Sequence, residues 1–203
     1  MDEQHGRPAA PPALVLASGS PYRRALLERL GLPFVQDPPA IDEHIAAGEA
    51  PAEAVMRLAR AKAAAVLARP PGAIVIGSVQ VAVRGDELLG KPGDAEHAAL
   101  QLTRSGGRQV EFLTAVCVVG GTRPAEPAEH MDITRVVFRP LTPEEIRCYV
   151  ERDAPFDCAG SFRAEGLGIA LFERIDSQDP TGLIGLPLIW LAQALRRLGL
   201  PVL

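Results

Sequence analysis

Residues 13–31 read ALVLA, then SGSP, then YRRALLERLG, and this stretch limits the possible folds more than any other in the chain. A short apolar run bounded by turn formers suits a buried strand. Ser20 is placed to cap a helix, Pro21 suits its first position and Gly31 its stop, with Leu26, Leu27 and Leu30 as the buried face. A strand that passes through small residues into a helix brings free backbone N–H groups and the positive end of the helix dipole to one point. That arrangement suits an anion.

The alternation continues. LPFVQDPPAIDE is an extended segment ending at Asp42-Glu43. A helix is expected from about Pro51 to Ala68, with Val55, Leu58, Ala59, Val66 and Leu67 on its buried side and Lys62 at the edge of that side. AIVIGSVQVAV, residues 73–83, reads as a second buried strand. In it Val79 stands where the strand would end, between Ser78 and Gln80, two groups able to face a ligand. RGDELLGKP reads as a turn returning to Lys91, and DAEHAALQLTRSGG as a helix capped by Asp94 and stopped at Gly106-Gly107. RQVEFLTAVCVVGG and AEHMDITRVVFRP predict an antiparallel pair joined by a Pro/Gly-rich turn. Thr142-Pro143-Glu144-Glu145 is a capping box that starts a helix to about Arg152. IALFERI then reads as a strand, and Pro187–Leu198 as a last helix with a stripe of Leu188, Leu191, Leu195 and Leu198. Strand–helix alternation followed by antiparallel strands predicts an α/β fold with a mixed, twisted sheet.

Composition narrows the function. The 203 residues suit a single domain over 13–203, and the opening MDEQHGRPAAPP, residues 1–12, reads as a disordered tail rather than a secretory signal. A net charge of −4 argues against a general polyanion binder, so no nucleic-acid partner is expected and any phosphate site must be a local cluster of basic groups. Three cysteines without a CxxC pair and four scattered histidines give no zinc or disulfide pattern, which suits a reducing cytoplasm. LIGLPLIWLAQAL is too short to span a bilayer, so no membrane partner is expected. Of 21 basic residues only Lys62 and Lys91 are lysines. Either this is drift in an Arg-biased sequence, or a compact ammonium is kept where a guanidinium fork would not fit.

Several groups are candidates for phosphate chemistry. Ser18, Ser20, Arg23 and Arg24 surround the start of the first helix, where arginines oppose the dipole and so need another reason to be present. They form either a phosphate cradle or a solvated turn. Asp42-Glu43 either holds Mg²⁺, which takes one or two carboxylates and keeps several waters, or is a solvated turn. Lys91 either offers an ammonium to phosphate or sits in a surface turn.

LASGSPYRRALLERLGLPF, IDE, RLARAKA, IGSVQV, GKP, CAGSFRAEGLG and GLPL occur here in the order found in the Maf family of nucleotide pyrophosphatases. The chain resembles that family over about residues 13–200. The resemblance implies an elongated Maf-like fold, akin to inosine triphosphate pyrophosphatase, with a cleft between two lobes. It also implies a homodimer and the cleavage of nucleoside triphosphates to monophosphate and pyrophosphate with Mg²⁺ or Mn²⁺. By position, Ser18, Arg23 and Arg24 would bind phosphates and Glu43 would hold metal or substrate. Lys62 and Lys91 would neutralise charge developing around phosphorus. Tyr22, Gln80 and Glu165 resemble the branch acting on 7-methyl-GTP, where arginine, threonine and glutamine mark the dTTP and UTP branch. An aromatic face attracts the cationic N7-methylated base, and a carboxylate accepts from its N1–H and amino group.

At the position of the family's proton-accepting aspartate this chain has Val79. Valine takes no proton, so a general-base contribution of roughly 10²–10⁴-fold is missing there. Three readings follow. The protein is a working 7-methyl-GTP pyrophosphatase using another acid such as Glu43 or Asp86, or a metal-bound hydroxide. Alternatively it is a nucleotide-binding protein that does not catalyse, or a substituted form of an active parent.

Overall fold

In the computed structural model, which describes residues 13–67, 72–121 and 126–203, the first half is built from parallel crossovers. β1 (Leu14–Leu16), α1 (Pro21–Glu28), β2 (Phe34–Gln36), α2 (Pro51–Leu67) and β3 (Ile74–Arg84) follow one another. β1 lies between β2 and β3, parallel to both. The chain then turns antiparallel. β4 (Glu87–Leu89) folds back on β3, α3 (Ala95–Ser105) follows, and β5 (Gln109–Gly120) and β6 (Ala128–Phe138) form a long pair. α4 (Pro143–Asp153), β7 (Phe172–Asp176) and α5 (Leu188–Arg197) complete the described chain. Over the described residues the sheet has seven strands in the order β2-β1-β3-β5-β6-β7, with β4 also on β3. This is the mixed α/β sheet that the alternation predicts. The expected tail at 1–12, Ala68 and most of the turn after Gly121 lie outside the described residues.

The caps form as their residue types predict. Ser20 Oγ accepts from the Arg23 N–H at 3.4 Å, Asp94 from that of His97 at 2.9 Å, and Thr142 and Glu145 close a full capping box. Other expectations are corrected. Val79 stands in mid-strand, because β5 pairs with β3 from Ile74 to Val83. RGDELLGKP is more than a turn, since Glu87–Leu89 pairs with Ala82–Arg84. IALFERI is only partly strand: Leu167–Leu171 is a 3-10 turn, and β7 begins at Phe172. The β6 ladder stops at Phe138, with Pro140 close behind, so residues 169–171 have no strand to pair with. Leu67, at the end of α2, is 37 % exposed rather than buried.

Alternation along β3 explains the layers. On one face Ile74 and Ile76 join Leu26, Leu27, Leu191 and Leu195 of α1 and α5, while Ala82 joins a second cluster with Leu102, Phe112, Ile146 and Phe162. Between these two apolar regions the same face carries Ser78 and Gln80. Register extends the polar position sideways, with Gln80 opposite Thr114 on β5 and Thr114 opposite Asp132 on β6. A polar belt thus crosses three strands between two cores. On the other face Val75 and Val79 pack with Val55, Leu58, Ala59 and Ala63 of α2.

Two glycines make these approaches possible. A Cβ on Gly77 would stand 2.2 Å from the Ala59 carbonyl oxygen and 2.8 Å from the Ala63 nitrogen, so α2 lies directly on β3 there. A Cβ on Gly182 would stand 2.1 Å from Asp132 Oδ2, so the 182–185 segment rests on the polar belt.

Asp132 is buried and accepts from the Thr134 hydroxyl at 3.2 Å. Burial raises its pKa, and the nearby Asp179 charge adds to the rise. A carboxyl whose folded pKa is raised contributes stability that is fully present below its unfolded pKa, ~3.9, and is lost as pH rises through the folded value. The stability of Asp132→Asn relative to the unaltered chain should therefore increase from pH 4 to pH 8. Urea unfolding across that range checks it, and a pH-independent difference would contradict it.

Candidate active site

β1 pairs with β3 only as far as Ile76, and β4 takes up the same edge of β3 only at Ala82. The intervening edge, residues 77–81, faces a cleft of about 470 Å³ lined from both faces of the sheet. The chain leaving β1 enters this cleft as Ser18-Gly19-Ser20 and continues into α1. Ligands of open α/β sheets bind outside the carboxyl ends of parallel strands, where neighbouring connections diverge. The volume is within the range of small-molecule sites.

One group of lining residues is cationic. Arg23 Nη1 donates to Ser18 Oγ at 3.3 Å and its Nε to the Gly185 carbonyl at 2.9 Å. Burial lowers the guanidinium to about 10, against the favourable charge of Glu43, so it stays protonated at neutral pH. Lys62, buried on α2, places Nζ 2.7 Å from Glu43 Oε2. Burial lowers the Lys62 pKa, with Arg23 and Lys91 adding repulsion, while Glu43 works in the other direction. Lys91 lines the same cleft, so both lysines of the chain meet there. Val79 lines it too, 6 % exposed on the α2 face.

A second group surrounds Tyr22. Its hydroxyl donates to the Asp157 carboxylate, 3.1 Å from each oxygen, and Cys158 Sγ lies 3.6 Å from it. Burial, then the Cys158 thiol and the Asp157 charge, push the phenol well above its usual range, so it remains a donor. Phe162, Arg163 and the exposed Glu165 complete this part of the lining.

Of the residues singled out from the sequence, Ser18, Tyr22, Arg23, Glu43, Lys62, Val79, Gln80, Lys91 and Glu165 all line the cleft. Arg24 does not: it points outward and pairs with Glu28 at 3.0 Å. Asp86 sits in the β3–β4 turn, also away from the lining, and so is removed as an alternative base. Ser78 is fully buried and donates to the Gly185 carbonyl at 2.9 Å. Gln80 uses its amide nitrogen on Thr114 Oγ1, Gly182 O and Leu183 O, at 2.9–3.0 Å, leaving its oxygen for other partners.

Sequence reasoning missed the supports. Thr114 donates to the Gly182 carbonyl at 3.0 Å. Asp179 accepts from Thr181 N–H and O–H and, through its other oxygen, from Ile189 N–H at the start of α5. The lone threonine in FLTAVCVV was the available signal for Thr114, since a polar residue inside an apolar strand requires a partner, whereas Asp179 in the loop DSQDPTG gave none. Asp157 was missed because its partner lies 135 residues away.

The donor set limits what metal could be held. Among the described residues no three His, Cys, Asp or Glu side chains gather as a metal-holding group. Val79 offers no oxygen, so Glu43 is the carboxylate left beside the lysines. A single carboxylate suits Mg²⁺, which takes one or two and keeps several waters, rather than a dedicated protein cage.

Among the described residues no helix is long and apolar enough to cross a membrane. The chain is 53% identical over 188 residues to a 7-methyl-GTP pyrophosphatase of Xanthomonas oryzae pv. oryzae, covering 93% of this chain and 97% of that one. It is 50% identical over 194 residues to the 7-methyl-GTP pyrophosphatase of Nitrosococcus oceani, covering 96% and 97%. The 7-methyl-GTP pyrophosphatase of Bordetella pertussis is 51% identical over 193 residues, covering 95% and 96%. A solved HAM1 protein from Coxiella burnetii superposes with a TM-score of 0.49 at 14% identity, over 92% of this chain and 99% of that one. The family model described as Maf-like protein matches residues 13–198, nearly the whole chain. The chain belongs to the Maf family.

Proposed function

We propose that this protein is a nucleotide pyrophosphatase that cleaves 7-methyl-GTP to 7-methyl-GMP and pyrophosphate, slowed by Val79. The observation that carries the reading is the meeting of Ser18, Arg23, Lys62 and Lys91 in a cleft whose other lining includes an aromatic ring and carboxylates. Relatives at about half identity over the full length, named 7-methyl-GTP pyrophosphatase, support the substrate.

The reaction adds water to the α-phosphorus and breaks its bond to the bridging oxygen of pyrophosphate, which leaves with the electron pair. Arg23, Lys62 and Lys91 offset the charge that grows on the phosphate oxygens, and Ser18 with the start of α1 orients them. Magnesium carried in by the triphosphate would take Glu43 as its protein oxygen and withdraw further charge. The proton released by water has no acceptor at position 79. Glu43 is the remaining carboxylate beside the lysines, and it is engaged with Lys62 at 2.7 Å. A homodimer and a cytoplasmic setting belong to the same reading, carried by the family resemblance.

Pyrophosphate release from 7-methyl-GTP, GTP, UTP and dTTP tests the proposal. Release should be slow and favour 7-methyl-GTP, and equal rates for all four would count against the base assignment. Lys62→Met and Lys91→Met should each lower turnover by about 10²-fold, as loss of one charge-stabilising group does. A second reading, a nucleotide-binding protein without turnover, is favoured by Val79 itself. Tight binding with no release, both here and after Val79→Asp, would select it.

A further inference from the structure

Asp157 has no assigned part in the reading above, yet it connects separate regions of the molecule. It accepts from the hydroxyl of Tyr22, which belongs to the first turn of α1. The residue before it, Phe156, accepts through its carbonyl from the Gly93 N–H at 3.0 Å, which fixes the turn carrying Lys91. The residues after it enter a 3-10 turn, Ala159–Ser161, anchored by Ser161 Oγ donating to Gln101 Oε1 at 2.6 Å. Asp157 is thus a carboxylate on a well-held segment, reaching across to an aromatic ring on the other side of the cleft.

Charge is also divided along the lining. The Tyr22 part of the lining carries Asp157 and Glu165, with Arg163 3.7 Å from Asp153 and within reach of the Asp157 charge, so carboxylates outnumber cations there. Lys62, Lys91 and Arg23 form a separate grouping, close enough to repel one another. We propose that Asp157 is a positioning residue for the nucleotide base: by accepting from the Tyr22 hydroxyl it holds that ring in the cleft, and its charge favours a cationic base over a neutral one. The proposal rests on the base assignment made above. Free rotation of the Tyr22 ring would cost entropy on every binding event, and a fixed ring removes that cost. Asp157 is exposed, so its direct effect on base charge is modest.

The test measures affinities of the α,β-methylene analogues of 7-methyl-GTP and GTP, which avoids turnover. Asp157→Ala should weaken the 7-methyl analogue by about three- to tenfold, the size expected of one exposed aromatic–cation contact and its support. Tyr22→Phe should give a similar loss, and the double variant should be no weaker than the worse single one. Asp157→Asn keeps an acceptor but no charge. It should restore affinity for the GTP analogue while the 7-methyl analogue stays several-fold weaker, a split that general loosening would not produce. Losses that multiply in the double variant, or an Asn variant indistinguishable from Ala with both ligands, would overturn the proposal. Equal affinity of the unaltered chain for the two analogues would instead overturn the base assignment, with the coupling of Asp157 to Tyr22 still readable from the double variant.

Discussion

Val79→Asp is expected to raise pyrophosphate release from 7-methyl-GTP by about 10²–10⁴-fold, the usual worth of a positioned general base. Position 79 lines the cleft from the α2 face, with Lys62 on the adjoining helix. A carboxylate there would stand among Lys62, Arg23 and Lys91, whose charges oppose the cost of burying it. It would also give a second oxygen to a magnesium–triphosphate complex. Affinity for the non-hydrolysable analogue should change far less than turnover, because the phosphate-binding groups are untouched. Steady-state turnover and analogue affinity together decide the matter. Equal turnover in the two forms would show that water is activated elsewhere, and parallel changes in both would show that Val79 acts on binding.

Gly77→Ala is expected to destabilise the fold by about 3 kcal/mol or more, the upper range for overpacking at a well-packed contact. The added methyl group would meet backbone on α2, at 2.2 Å from the Ala59 oxygen and 2.8 Å from the Ala63 nitrogen, and backbone has no alternative rotamer to adopt. Relief requires α2 to move off β3, which carries Lys62 away from the cleft. Analogue affinity should therefore fall along with stability. Gly90→Ala is the matched control, since its Cβ would meet nothing within 4 Å. Urea midpoints compare the two, and a Gly77→Ala midpoint as little changed as that of Gly90→Ala would mean that the α2–β3 contact has slack.

How far the fold was legible depended on distance along the chain. The strand–loop–helix unit at 13–31 was readable because its signals are local: Ser20 caps the helix it precedes, and Pro21 begins it. Lys62 and Lys91 stood out by scarcity, and the cleft brings them together. Arg24 looked equivalent to Arg23, but one step round the helix sends it outward to Glu28. The belt of Gln80, Thr114 and Asp132 was not readable, because it exists only through the register of three strands. For the same reason Ser78 and Gln80 looked like ligand groups, whereas Ser78 and the amide nitrogen of Gln80 hold a loop. The break in β3 pairing that opens the cleft depends on where β1 and β4 end, which no pattern within AIVIGSVQVAV records.

The 182–185 segment is held by its carbonyls: Gln80 and Thr114 grip Gly182, Gln80 also grips Leu183, and Ser78 and Arg23 grip Gly185. Its side chains at Leu183 and Ile184 line the cleft but take no part in that grip. Leu183 is also buried in the core around Phe112 and Phe162, and Ile184 packs against the core of α1 and α5. The cleft wall is therefore a hinge point of both cores: a guest that reshapes it presses on each, so substrate range and stability are traded at the same two side chains.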